Sequence, residues 1–121
     1  MYGFVPLRGL KMTMQFNEII CGAFINLFTA DRVLINFLEQ NPDKFNFEEC
    51  VIIIRVHQSL SRILKAKDAM ELDKYIVKTR IKIKVEQIKL RSQSTNATLD
   101  IDGLMTCMER QLTTLCQQLN I

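Results

Sequence analysis

The sequence predicts an all-α fold: a small bundle of three to five helices, most simply four, with a coiled-coil-like helix at its C-terminal end. Three observations predict it. Apolar residues return every three or four positions through successive segments, which is the period of one helix face. Two segments open on the same start signal, Asn46 with Glu49 and Asp68 with Glu71. Only four Gly and two Pro are spread over 121 residues, too few for the turns of a many-stranded sandwich or barrel.

Residues 1–13 hold two of the four Gly and one of the two Pro, and read as a flexible arm. Residues 14–121 then form a single helical domain, since this length suits one hydrophobic core. The first helix is expected from about Gln15 or Asn17 to Gln40. Thr29 or Asp31 offers a cap for a second segment, so a bend is expected as an alternative to one continuous helix. Apolar residues cover nearly the whole circumference from Ile19 to Phe28, as in a helix buried on most sides. Asn41-Pro42-Asp43 ends it, because Pro disfavours helical geometry in the residue before it.

The second helix has the clearest start. Asn46 caps, Glu49 completes a capping box and Phe45 is placed to pack on Cys50 as a staple. It should run to about Ala66 with Cys50, Ile53, Ile54, Val56, His57, Leu60, Ile63 and Leu64 on one broad face. The third helix should follow Asp68 and continue through Leu90. Val77, Ile81, Val85 and Ile88 fall on one side of it, and Ile76, Ile83 and Leu90 nearly opposite, so contact on two sides is expected. Arg80-Ile81-Lys82-Ile83-Lys84-Val85 also alternates as a strand would, but the alternation slips at Glu86-Gln87 and no turn residue lies nearby. Residues 92–99 form a polar linker. Its Asn96-Ala97-Thr98 matches a glycosylation acceptor by pattern and reads as loop composition in a cytosolic chain.

The fourth helix should start near Asp100 and reach the terminus. Ile101, Met105, Met108, Leu112, Leu115 and Leu119 are spaced +4, +3, +4, +3, +4, an unbroken a/d seam. The seam either closes the chain's own core or zips with another chain, and these six residues are the candidate partner-binding positions. Met105 and Met108 make such a surface adaptable.

Charge is the second feature. The chain carries a net +3, yet Arg62 to Arg91 holds ten bases and four acids, a local +6 that leaves −3 for the remainder. Lys78, Arg80, Lys82, Lys84, Lys89 and Arg91 are the candidate contacts to nucleic acid or an acidic protein. The alternatives are solvated lysine flanks, or one part of the molecule docking against another. Only Tyr75 accompanies these bases as an aromatic, so nucleic-acid contact would be electrostatic and salt-sensitive.

The groupings that chemistry requires are sparse. There is one His, no Gly-rich phosphate loop, and no zinc or calcium ligand spacing. His57 with a Cys is a poor start for acyl transfer without an oriented third group, and reads as a core or boundary histidine. The pairs Glu48-Glu49 and Asp100 with Asp102 sit at helix starts, where they complement the helix dipole. No enzyme, cofactor, metal or small-molecule substrate is therefore expected. Cys21, Cys50, Cys107 and Cys116 are dispersed among apolar residues, as free thiols in a reducing cytoplasm would be. Arg8 and Lys11 before the run Ile19 to Phe28 imitate a signal peptide. Glu18, Asn26 and a poor cleavage site argue against one, and Asp31 and Arg32 cut the run short of a membrane span. The expected function is a non-enzymatic protein–protein interaction module: an adaptor, chaperone or complex subunit, either self-associating or within a larger assembly. A nucleic-acid accessory or regulatory protein is the alternative.

Overall fold

The computed structural model describes residues 10–93 and 98–121. Four helices, α1 (Leu10–Gln40), α2 (Phe47–Leu64), α3 (Ala69–Arg91) and α4 (Thr98–Leu119), pack as a small four-helix bundle. No strand occurs among the described residues, and the alternating stretch from Arg80 to Val85 lies inside α3. Residues 1–9 of the expected arm, and Asn96 and Ala97 of the acceptor pattern, lie outside the described residues.

Local signals set the helix ends. The Asn46 side chain accepts from the Glu49 amide at 2.8 Å, and the Glu49 carboxylate accepts from the Asn46 amide at 2.9 Å, closing the capping box. Asp68 caps α3 by accepting from the Glu71 amide at 2.8 Å. Pro42 to Lys44 form one 3-10 turn that stops α1 at Gln40. The staple residue Phe45 is buried, with its ring edge-on to Phe37 at 5.2 Å. At the other end of the chain Asn120 adopts φ 62°, and the Ile121 amide donates to the Cys116 carbonyl at 2.9 Å. This Schellman-type closure folds Ile121 back beside the last turn of α4.

Two expectations for α1 need correction. It starts at Leu10, so residues 10–13 are helix rather than arm; of the two readings open at Thr29 and Asp31, the continuous helix is the one found. Asp31 caps nothing, because its carboxylate is held by His57 of α2. Nor is α1 buried all round. Ala23, Leu27, Ala30 and Leu34 face the core, while Ile19, Ile25 and Val33 are exposed. A helix in a four-membered bundle has neighbours on one side only, so the remaining apolar residues meet solvent.

Short connections make sequential neighbours antiparallel. Thr79 of α3 donates to the Ser59 carbonyl of α2 at 3.2 Å. Arg80 and Arg91 of α3 pair with Glu109 and Asp102 of α4, in reverse order along the two helices. Buried Glu49 accepts from Thr98 Oγ1 at 3.2 Å, tying the N-terminal ends of α2 and α4 together. Thus α1 and α3 run one way, and α2 and α4 the other. α1 packs chiefly on α4 and less on α2, while α3 packs on both α2 and α4.

The core falls where the helical period puts it, with adjustments. Ile53, Val56, Leu60 and Ile63 of α2 are buried together with Ile52, whereas Ile54 and Leu64 are exposed. On α4, Ile101, Met105, Met108, Leu112 and Leu115 are completely buried, and Leu119 packs partly buried against them. A Leu-to-Ala cavity in such a core costs about 2–5 kcal/mol, whereas truncation of an exposed side chain usually stays within about 0.5 kcal/mol. Leu112→Ala and Leu34→Ala are therefore expected to lower urea-unfolding stability by about 2–5 kcal/mol. Ile88→Ala, on the outside of α3, should leave it nearly unchanged. A large loss at Ile88 would mean that this side chain is packed.

Candidate partner-docking surface

The seam predicted on α4 is covered by the chain itself. Its six residues belong to the core formed with α1, α2 and α3, so a partner cannot reach the five that are completely buried while the bundle stays closed. A surface awaiting a partner has to be sought among the apolar residues this core leaves out.

α3 supplies it. At 100° per residue, Ile76, Ile83 and Leu90 share an arc about 100° wide with Thr79, Glu86 and Gln87. All six are buried. Val77, Ile81, Val85 and Ile88 occupy an arc about 80° wide on the opposite side. They are 37%, 60%, 42% and 71% exposed. Among the described residues, only one of the two contacts expected for this helix is made. The other face is a ridge of four β-branched aliphatic side chains, about 16 Å long at 1.5 Å per residue.

The ridge has a wall along part of its length. Val77, Arg80, Ile81 and Lys84 of α3, with Cys116 and Ile121 of the α4 end, line a groove of about 350 Å³. Ile121 stands there because the turn at Asn120 folds the terminal residue back.

The predicted basic contacts border this ridge, and most are already answered from within the molecule. Arg80 and Lys84 approach Glu109 of α4 at 3.4 and 3.8 Å. Arg91 pairs with Asp102 at 2.9 Å. Lys82 and Lys89, with Arg55 of α2, surround Glu86 at 3.7, 3.3 and 3.7 Å. The Glu86 side chain is completely buried, and its Oε1 accepts no hydrogen bond, with only the longer Arg55 contact beside it. Of the six predicted bases, Lys78 alone lacks a carboxylate within 4 Å among the described residues, and exposed Lys74 lacks one too. The charge asymmetry thus serves in part to dock α3 on α4, one of the uses the sequence left open.

A second apolar surface lies where α1, α2 and the start of α3 meet. Phe24, Ile25 and Phe28 face Ile63, Leu64 and Leu72 across a cleft of about 590 Å³. The Phe24 and Phe28 rings stack at 6.3 Å. Its rim carries Lys67 and Asp68, one charge of each sign.

His57 occupies neither surface. Its Nδ1 lies 2.9 and 3.1 Å from the two carboxylate oxygens of Asp31, so the ring N–H donates across the α1–α2 seam. The nearby Ser61 hydroxyl donates to the His57 carbonyl at 3.0 Å. The pair therefore ties together α1 and α2, which pack on each other less than α1 packs on α4. No group of three potential metal-ligating side chains, and no helix long and apolar enough to cross a membrane, occurs among the described residues. No protein-family model, curated protein or solved structure matches the chain.

Burial pushes the Asp31 carboxyl up from its ordinary 3.8, and the hydrogen bond and charge of His57 offset this only in part. An acid held higher in the folded state binds its proton more tightly there. Its contribution to stability is full below 3.8 and is lost as pH rises through the folded value. Urea midpoints of the wild type and Asp31→Asn, measured at a series of acid pH values, should therefore diverge in the variant's favour as pH rises from 3.8. A gap constant with pH would reject the assignment.

Proposed function

We propose that this chain is a non-enzymatic interaction module, a small helical adaptor, chaperone or complex subunit that works by helix–helix packing. The observation that carries the reading is the ridge of Val77, Ile81, Val85 and Ile88, aligned on one helix and turned to water. A row of aligned aliphatics on a bundle's outer face is the arrangement a second helix covers. Burying one such side chain fully is worth about 1.5–3 kcal/mol, and association costs about 4–15 kcal/mol before any net affinity appears. Four partly exposed side chains thus favour a modest, reversible complex unless flanking contacts add to it. The cleft beside Phe24 and Leu64 gives the module room for a second contact. Dispersed cysteines without a disulfide fit a reducing cytoplasm.

The nucleic-acid alternative has less behind it. A phosphate backbone has no use for the aliphatic ridge that the bases flank, and Tyr75 is the one aromatic among those bases on which a nucleobase could stack. A gel shift at low and high salt tests it directly, and binding at low salt that disappears in Lys74→Glu/Lys78→Glu would revive it.

The interaction reading is tested by affinity purification of three forms: wild type, Ile81→Glu/Ile88→Glu, and Phe47→Glu as a control at an exposed apolar residue away from the ridge. All three should melt as folded helical proteins. A co-purifying protein retained by wild type and Phe47→Glu but lost from the ridge variant is the expected result. Identical recovery with all three would overturn the ridge as the docking surface.

A further inference from the structure

The nature of the partner follows from the edges of the ridge. We propose that the outer face of α3 seats an amphipathic helix of another protein, whose aliphatic stripe lies on the ridge and whose flanks carry Asp and Glu. This rests on the interaction reading above and adds the partner's chemistry to it.

Charge complementarity carries the inference. Cations outnumber the acids that answer them along the ridge, although Arg91 has Asp102 and half-buried Asp73 stands on the Arg80 edge. On one edge Arg80 and Lys84 share the single carboxylate of Glu109. On the other, Lys82 and Lys89 share Glu86 with Arg55. Two carboxylates therefore face five cations. Lys74 and Lys78, exposed beside Val77 and Ile81, have no carboxylate within 4 Å among the described residues. The acids already present are poorly placed to serve a partner: Glu86 is completely buried and Glu109 is engaged on α4. A docking helix with acidic flanks supplies the missing counter-charges while its apolar stripe covers the ridge.

The other occupants fit less well. A second copy docked ridge to ridge would set lysines against lysines, and like charges across an interface are costly. An anionic membrane would suit the charge, but interfacial helices characteristically insert Trp, Phe or Leu. This ridge is made of Val and Ile only, and Tyr75 lies on another side of α3. Its length of about three helical turns, and its wall at Cys116 and Ile121, suit a short helix laid alongside.

The experiment is selection of displayed helical peptides on the full chain. The library fixes a Leu/Ile stripe at i, i+4, i+7 and i+11 and varies the flanking positions among Glu, Gln and Lys. Members that bind Ile81→Glu/Ile88→Glu are removed. Enrichment of Glu at both flanks is expected, with the selected peptide losing about tenfold in affinity on Lys74→Glu/Lys78→Glu and weakening as salt rises. Enrichment of Lys, indifference to flank charge, or no ridge-dependent binder at all would overturn the proposal. Two further outcomes would also overturn it. One is co-sedimentation with phosphatidylserine vesicles that the ridge variant loses. The other is a concentration-dependent dimer that the ridge variant abolishes. The purification in the preceding section reads the interaction itself, so a partner captured through the ridge beside a failed selection would remove only the acidic-helix assignment.

Discussion

The rotation of α3 about its own axis is the constraint from which the outer surface follows. Burial of aliphatic side chains does not decide it, because α3 has two aliphatic sides. Ile76, Ile83 and Leu90 could be exchanged for Val77, Ile81, Val85 and Ile88 with no loss of apolar area. The polar neighbours decide. The buried side carries Thr79 and Gln87, neutral groups that find partners inside: Thr79 at the Ser59 carbonyl, Gln87 at Asp102 and Thr106 at 3.0 and 2.9 Å. The other side is edged by Lys78, Lys84 and Arg80 and headed by Lys74, and turning it inward would strip several cations of water with too few acids to pair them. Glu86 is the one charge on the inner arc, and it sits at the border where Arg55, Lys82 and Lys89 reach it from solvent.

That choice connects the core to the surface. Once the neutral side of α3 is inside, it joins the ridge of α4 in the core, and the seam from Ile101 to Leu115 is covered without help from another molecule. Asp102 and Glu109 stand on the flank of α4 next to α3, which is where the answering bases lie. The same contacts that fix the rotation therefore leave four aliphatics in water and draw down part of the positive charge beside them, but not all of it.

How much of this was legible in the sequence depended on the range of the cause. Caps and stops are local: Asn46 with Glu49, Asp68 with Glu71 and Pro42 each act within one turn, and each appears where the sequence placed it. The period of α4 is local too, and its ridge was readable residue by residue. Who covers the ridge was not, since an a/d seam looks alike whether its partner is in the same chain or another. The bend that the sequence offered as an alternative at Asp31 does not form, because the carboxylate that would have capped a helix is used 26 residues away, at His57. Ile52 lay outside the expected face of α2, whereas Ile54 and Leu64 lay within it and are exposed, because the two neighbours of α2 shift the buried arc. For α3 the period revealed both apolar sides. Choosing the inner one needed the Ser59 carbonyl and Thr106, groups on two other helices that no local pattern associates with Thr79 or Gln87.

The uneven charge also bears on how the isolated chain and any complex differ. Five cations gathered about two carboxylates repel one another, and added salt relieves that repulsion in the free molecule. In a complex with an acidic helix the same cations are attracted to new carboxylates, and salt weakens that attraction instead. The ridge follows neither trend, since apolar burial is not screened by simple salt. Docking an acidic amphipathic helix would remove exposed aliphatic area and unanswered charge together, and by mass action would stabilise the folded chain with the logarithm of the partner's free concentration once that exceeds the dissociation constant. A neutral apolar helix would relieve only the first, and a polyanion only the second. The pairing of both defects on one face of one helix is what distinguishes this surface from the cleft at Phe24, where the rim charges are balanced and only apolar area is open.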